Sequence, residues 1–215
     1  MLLVHIRRSV VLVVVAVVLT FAYAFLGTGV SQLLFKNQAD GSISANGSTL
    51  IGQNWSQTPC PGHRLGTCVF QGRPDAVGPY AGSSNPVAAG GDNPLAANNI
   101  PGKPGVLNPG ESGASNLGPR SKVLLQNTKE LVAYWKARGV NPTPDLVTTS
   151  GSGVDPDISP ADAYAQVNAV AHARGLSVTT VHSLVAGHVR PPELGFLGSS
   201  YVNVLDLNES LASLK

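Results

Sequence analysis

Three groups of residues in this chain of 215 could do chemistry. The first is Ser150-Gly151-Ser152-Gly153-Val154-Asp155-Pro156, which lies between Asp145–Thr149 and a helix start at Ser159. Glycine-rich turns that open a helix can hold a phosphate through backbone N–H groups. The features that would make such a site specific are missing. No Walker lysine follows, G-x-G-x-x-G is not matched, and neither Ser150 nor Ser152 has the flanking glycines of G-x-S-x-G. The simpler reading is a tight structural turn, with glycines at positive φ and Asp155 accepting from nearby backbone N–H groups.

The second group is Cys60-Pro61-Gly62-His63-Arg64-Leu65-Gly66-Thr67-Cys68. Outside the cytoplasm so close a pair of cysteines most simply forms a disulfide. Closing a nine-residue loop stabilises by about 2.6 kcal/mol in the chain-entropy model. Free thiols are one alternative. A metal site completed by His63 is the other, although zinc takes four ligands and only three candidates stand here. The remaining histidines form the third group. His182 and His188 fall on opposite faces of one helix and cannot chelate one ion, while His172 sits near Arg174 on a surface. No Ser–His–Asp set follows from spacing, so no catalytic residue, resident metal or cofactor is assigned.

The elements that must carry these groups begin with an uncharged run from Ser9 to Phe35. Its most apolar part, Val10–Val30, is 21 residues, and as a helix it would span roughly 30 Å, the thickness of a bilayer's hydrocarbon core. Arg7 and Arg8 precede it, which predicts a cytoplasmic N-terminus over residues 1–8 and an extracytoplasmic domain over residues 36–215. A cleavable signal ending at Ala22-Tyr23-Ala24 is the rival, but the uncharged run continues beyond it to Phe35. Either way the later residues are exported. Ala16, Thr20, Ala24 and Thr28 recur every fourth residue and would line one ridge, where another membrane helix could pack closely.

The rest of the chain supports one ordinary domain. A net charge of +2 with scattered Lys and Arg argues against nucleic acid, and 24 Gly with 16 Pro indicate a loop-rich fold. Asp40-Gly41 and Asn46-Gly47 read as hairpin turns, with a strand from Thr49-Leu50-Ile51. Asn46 and Asn54 are acceptor sequons that matter only in a glycosylating host. Residues 78–113 carry few charges and little apolar area, so they are either a flexible excursion or a segment lying on a neighbour.

A helix is expected from about Pro119 to Arg138, capped by Ser115 or Asn116, with Leu124, Thr128, Leu131 and Trp135 on one face. Asp145–Thr149 reads as a strand. Ser159, Pro160 and Asp162 start a second helix that ends at Gly175, and Ser177 caps a third. Tyr201–Leu205 reads as a strand, followed by an amphipathic tail from Asn208 to Leu214. The fold class expected is an α+β or α/β domain with a small sheet, anchored by one N-terminal transmembrane helix.

Several of these stretches together resemble the C subunit of the potassium-transporting Kdp-type P-type ATPase complex. They are Thr28-Gly29-x-x-Gln32-x-Leu34-Phe35, Gly47-Ser48-x-Leu50-Ile51-Gly52-Gln53, Phe70-x-Gly72-Arg73-Pro74, Ser112–Pro119, Asp145–Ser159, Gly195-x-Leu197-Gly198 and Val202–Asn208. Their order is kept along almost the whole chain. Residues 56–68 look like an insertion, Asp157 stands where the family usually has His, and Asn168 stands where a basic residue is common.

The resemblance implies a cell-membrane accessory subunit without catalytic residues, needed for a stable complex. Its partners would be a channel-like potassium-binding subunit, an ATP-hydrolysing subunit and membrane lipid. Potassium, ATP and Mg would be handled by those subunits. A family proposal makes this subunit a catalytic chaperone that raises the pump's ATP affinity. Arg73, Asn116 and Asn203 are the outer-domain motif residues the resemblance singles out, beside Ser150, Gly151, Ser152, Gly153 and Asp155. The predicted topology puts that turn away from cytosolic ATP and favours assembly or mechanical coupling over nucleotide contact. Neither a TVGYG filter nor a D-K-T-G motif is present. The alternative is an exported, membrane-anchored binding module or hydrolase independent of a transporter.

Overall fold

A computed structural model describes residues 2–44, 47–53, 55, 58–64, 66–74, 99–100, 103–107 and 114–214. The sequons at Asn46 and Asn54, and most of the 78–113 excursion, lie outside the described residues. Two units are present, Met1–Ile43 and Ser44–Lys215.

The first unit is mainly α1 (Leu2–Leu34), which begins ahead of Arg7 and Arg8. It is the one helix among the described residues long and apolar enough to cross a membrane, and its apolar window is wholly unburied within the chain. Phe35 interrupts it before α2 (Lys36–Ala39). The Gln32 amide donates to Asp40 Oδ1 at 2.9 Å across that break, so the exit from α1 is braced.

The second unit is built around α4 (Pro160–Arg174). Ser159 and Asp162 form a reciprocal capping box at its start and Pro160 occupies the first turn, as their order in the sequence predicts. Ala163, Val167, Val170 and Ala171 meet Val181 and Val185 of α5 (Val178–His188), and Val204, Leu207 and Leu211 of α6 (Val204–Ser213). Phe70, fully buried, is the largest side chain of that core. Another side of α4, through Ala165 and Ala169, packs on a second core formed by Leu131 and Trp135 of α3 (Lys122–Lys136) with Val140, Leu146 and Val147. One helix thus serves two apolar clusters, which its high alanine content permits.

Strands are short. β1 (Ile43–Ser44) pairs with β2 (Gly47–Ser48), and β3 (Asn99–Ile100) pairs antiparallel with β4 (Lys103–Leu107). β5 (Asp157–Ile158) pairs antiparallel with β6 (Val202–Asn203), opposing Asp157 to Asn203 and Ile158 to Val202. The class is α+β. Every pairing given a direction is antiparallel, which removes the α/β alternative for the described residues.

Four expectations are corrected. Residues 49–51 form a turn and bend, with the Leu50 N–H taken by the Ser48 hydroxyl at 3.0 Å. The helix expected from Pro119 starts at Lys122 and is capped by Ser121, whose hydroxyl accepts from Leu124 N. Neither Ser115 nor Asn116 caps it, because both precede Lys122 by six or more residues, and the Ser115 hydroxyl accepts from Leu117 N at 3.4 Å instead. Asp145–Val147 is a 3-10 turn and not a strand. Thr143 Oγ1 accepts from Leu146 N at 3.4 Å, and the Trp135 indole N–H takes Leu146 O at 2.8 Å, so a side chain holds the carbonyl a strand would use. At the C-terminus the strand stops at Asn203, because that residue becomes the cap of α6 by accepting from Asp206 N at 3.2 Å.

Candidate functional site

The turn at 150–155 is assembled by its own hydroxyls. Ser150 is buried, and its Oγ accepts from Ser152 N at 3.1 Å and Gly153 N at 2.7 Å. Ser152 Oγ donates to Asp155 Oδ1 at 2.7 Å and accepts from Val154 N at 3.2 Å. Gly153 alone of the turn's glycines is at positive φ, 75°, a conformation that disfavours a side chain. The role expected of Asp155 toward the backbone therefore belongs to Ser150 and Ser152, and Gly151 has no left-handed role. The N–H groups of residues 152–154 are already bonded internally, so a phosphate would have to displace those bonds to use them.

Three distant segments converge on this turn. Arg73 Nη1 lies 3.7 Å from Asp155 Oδ2, Arg73 Nη2 donates to Thr149 O at 3.4 Å, and Ser150 N donates to Pro74 O at 3.2 Å. Gly52 N donates to Val154 O at 2.8 Å. A Cβ built on Gly52 would lie 2.3 Å from Asp155 O, so only glycine lets the two strands of backbone approach this closely. Asn203 completes the arrangement: its amide donates to Thr49 O and to Asp157 Oδ1, each at 2.9 Å. Burial pushes the Asp157 carboxyl above its ordinary value of 3.8; the Asn203 bond opposes this, and Asp155 and Asp206 add to it.

Next to it, two buried amides grip residues 70–71 as a sheet partner would. Asn208 accepts from Phe70 N and donates to Phe70 O, both at 2.8 Å. Gln166 accepts from Gln71 N at 2.9 Å and donates to Gln71 O at 3.1 Å. Tyr134 Oη donates to Gln71 Oε1 at 2.8 Å, and burial raises the phenol's pKa, against smaller opposing effects of Arg138 and that bond. Sequence reasoning missed Gln166 as a site residue. The available signal was a polar amide on the apolar side of α4, one position before Val167.

The other expected residues lie apart. Asn116 is exposed and precedes α3. The structure joins Cys60 and Cys68 in a disulfide, Cα–Cα 5.6 Å, packed with Val69 against Trp55 and Ala173. The histidines take separate environments. His182 stacks on Tyr164 with ring centroids 4.6 Å apart, and His188 bridges Leu184 O and the Ser210 hydroxyl. His172 meets His63 edge-on at 5.5 Å, a pairing no local spacing could reveal. Among the described residues no group of three His, Cys, Asp or Glu could hold a metal ion.

On α1, the Thr20 hydroxyl donates to Ala16 O at 2.8 Å and the Thr28 hydroxyl to Ala24 O at 2.9 Å. Each of these side chains thereby satisfies its polar atom within the helix. The ridge Ala16–Thr20–Ala24–Thr28 is left small and compatible with lipid or a helix. In the second unit, the turn closed by Glu193 and Leu197 exposes Leu194 and Phe196, 82% and 73% accessible.

Comparison with known proteins matches residues 6–213 to the family model described as KdpC, the c chain of the K+-transporting ATPase. The potassium-transporting ATPase KdpC subunit of Sorangium cellulosum is 39% identical over 221 aligned positions, covering 97% of each chain. That of Rhodopseudomonas palustris is 41% identical over 217 positions, covering 96% of each. That of Methylorubrum extorquens is 39% identical over 220, covering 98% of this chain and 97% of the relative. The converging turn, its glycine contact and the paired amides all lie inside the matched range, and the chain belongs to the KdpC family of K+-transporting ATPase c chains.

Proposed function

We propose that this chain is a non-catalytic accessory subunit of an ATP-driven potassium-uptake complex in the cell membrane, needed for its assembly and stability. The observation that carries the reading is the family match across residues 6–213, supported by relatives aligned over nearly their full length. α1 is the single span, with its N-terminus cytoplasmic beside Arg7 and Arg8 and residues 36–215 extracytoplasmic. Ion conduction and ATP hydrolysis belong to a channel-like and a P-type partner subunit.

The span contributes to assembly through Ala16, Thr20, Ala24 and Thr28. With both hydroxyls bonded back to the helix, that ridge lets a partner helix approach closely without leaving a polar group unsatisfied. In the outer domain, Arg73, Ser150, Ser152, Asp155 and Asn203 hold a junction of segments rigid rather than contact nucleotide. A rise in the pump subunit's ATP affinity would then follow from assembly. The family's catalytic-chaperone role becomes an indirect one.

The test is expression of the complex with a C-terminal tag on this chain, followed by detergent extraction. Thr20→Leu with Ala24→Leu should reduce the partner subunits recovered at least several-fold, while the melting of the outer domain is unchanged. Full recovery with the double variant would remove the packing face. Isolation of the tagged wild-type chain alone, under conditions where the partners are made, would remove the accessory role. A reporter fused after Lys215 tests orientation separately.

A further inference from the structure

A cleft of about 600 Å³ opens in the second unit between the disulfide loop, the end of α3 and one face of α4. Its polar lining among the described residues is His63, Arg64, Thr67, Arg138, Asn168 and His172, none of them acidic. Arg138 lies over the Tyr134 ring, its Cζ 3.3 Å from the centroid, and Nη1 donates to Tyr134 O at 3.3 Å. Its Nε is buried without a hydrogen-bond partner. Burial pushes the Arg138 pKa below its ordinary value, Tyr134 opposes this, and Arg64 adds repulsion. Among the described residues neither Arg64 nor Arg138 forms an ion pair with a carboxylate.

The cleft is also built to hold its shape. The Cys60–Cys68 bond closes the loop, Gly66 N donates to Thr58 O at 2.8 Å, and Gln71 Nε2 donates to Gly66 O at 3.0 Å. Arg174 Nε donates to Cys68 O at 2.9 Å and ties the loop to α4. His63 rests edge-on against His172. Arg64 therefore sits on a loop held by the disulfide and by bonds to its neighbours, which lowers the entropy lost when a ligand binds.

We propose that this cleft binds a phosphate oxyanion, with Arg64 and Arg138 as its charged contacts and Thr67, Asn168, His63 and His172 as its polar rim. Two guanidinium groups, with the amide, hydroxyl and imidazoles around them, suit an anion with several oxygens. The volume leaves room for a group esterified to the phosphate. Free inorganic phosphate and the headgroup of an anionic lipid share this chemistry. The cleft has no lining residue in common with the Ser150–Asp155 turn.

The test uses the full chain, oxidised, in a neutral detergent at constant ionic strength. Inorganic phosphate and dihexanoyl phosphatidic acid are titrated calorimetrically against chloride and dihexanoyl phosphatidylcholine. Saturable binding of phosphate identifies the free anion, and saturation by phosphatidic acid alone identifies the headgroup. In either case Arg64→Gln should weaken binding about tenfold, the share of one charge-assisted contact, with Arg64→Lys recovering part of it. Arg64 is on an exposed loop, so this variant should melt like the wild type; Arg138→Gln, which also disturbs Tyr134, is secondary. Absence of saturable binding by both probes, or binding unchanged by Arg64→Gln, overturns the proposal.

Discussion

Asn208→Leu isolates the device that holds residues 70–71 in place. The side chain is 3% exposed and satisfies both backbone groups of Phe70, which is itself fully buried. Leucine has nearly the same size but can neither accept nor donate. The substitution leaves one buried N–H and one buried C=O without partners, at about 1–3 kcal/mol each. The added apolar surface returns about 1 kcal/mol, so the net loss should be roughly 1–5 kcal/mol, a large share of a domain's total stability. The assay is denaturant unfolding of the full chain in detergent, followed by fluorescence of Trp55 and Trp135, the two tryptophans, both in the second unit. Asn208→Asp adds a signature. Its carboxylate still accepts from Phe70 N but cannot donate to Phe70 O unless protonated, so its deficit should shrink as pH falls below about 5. A loss under about 0.5 kcal/mol for Asn208→Leu, the range of an ordinary surface change, would refute the bidentate argument.

Gly52→Ala should destabilise the same unit by at least about 2 kcal/mol, because its Cβ would sit 2.3 Å from a backbone oxygen; an unaffected melting curve would show that the segments need not approach so closely. Replacing Cys60 and Cys68 together by serine should lower stability by about 2.6 kcal/mol under oxidising conditions, and the difference from wild type should vanish once both proteins are reduced. For Asp157 the folded carboxyl titrates above 3.8, so the folded state holds its proton more tightly. That contribution favours folding at low pH and is lost as pH rises from the unfolded value through the raised folded one. Asp157→Asn, which can still accept from Asn203, should flatten this part of the pH–stability profile and raise stability at pH 7. A steeper profile for the variant would contradict the sign.

Local chemistry made some features readable directly. Ser159-Pro160-x-Asp162 specifies a helix start through bonds among residues three apart, and Ser177 does the same for α5. Leu131 with Trp135, and Val181 with Val185, recur at helical spacing and are buried as that spacing requires. The errors have the opposite origin. Asp145–Val147 has strand-like composition, but Trp135 takes the Leu146 carbonyl from another element. Tyr201–Leu205 alternates like a strand until Asn203 spends its oxygen on a helix cap and its N–H groups on Thr49 and Asp157.

By itself the sequence determined a bilayer-length apolar helix, the starts of α4 and α5, and the family through motifs kept in order. Each of these depends on composition or on contacts within a few residues. Tertiary structure alone decided that Gly52, Arg73, Ser150 and Asp155 share one junction, that Asn208 and Gln166 act as a strand's partner, and that Arg64 and Arg138 line one cleft. The physical reason is the polarity of the backbone. A buried loop must find donors and acceptors wherever packing brings them, and those partners have no fixed separation along the chain.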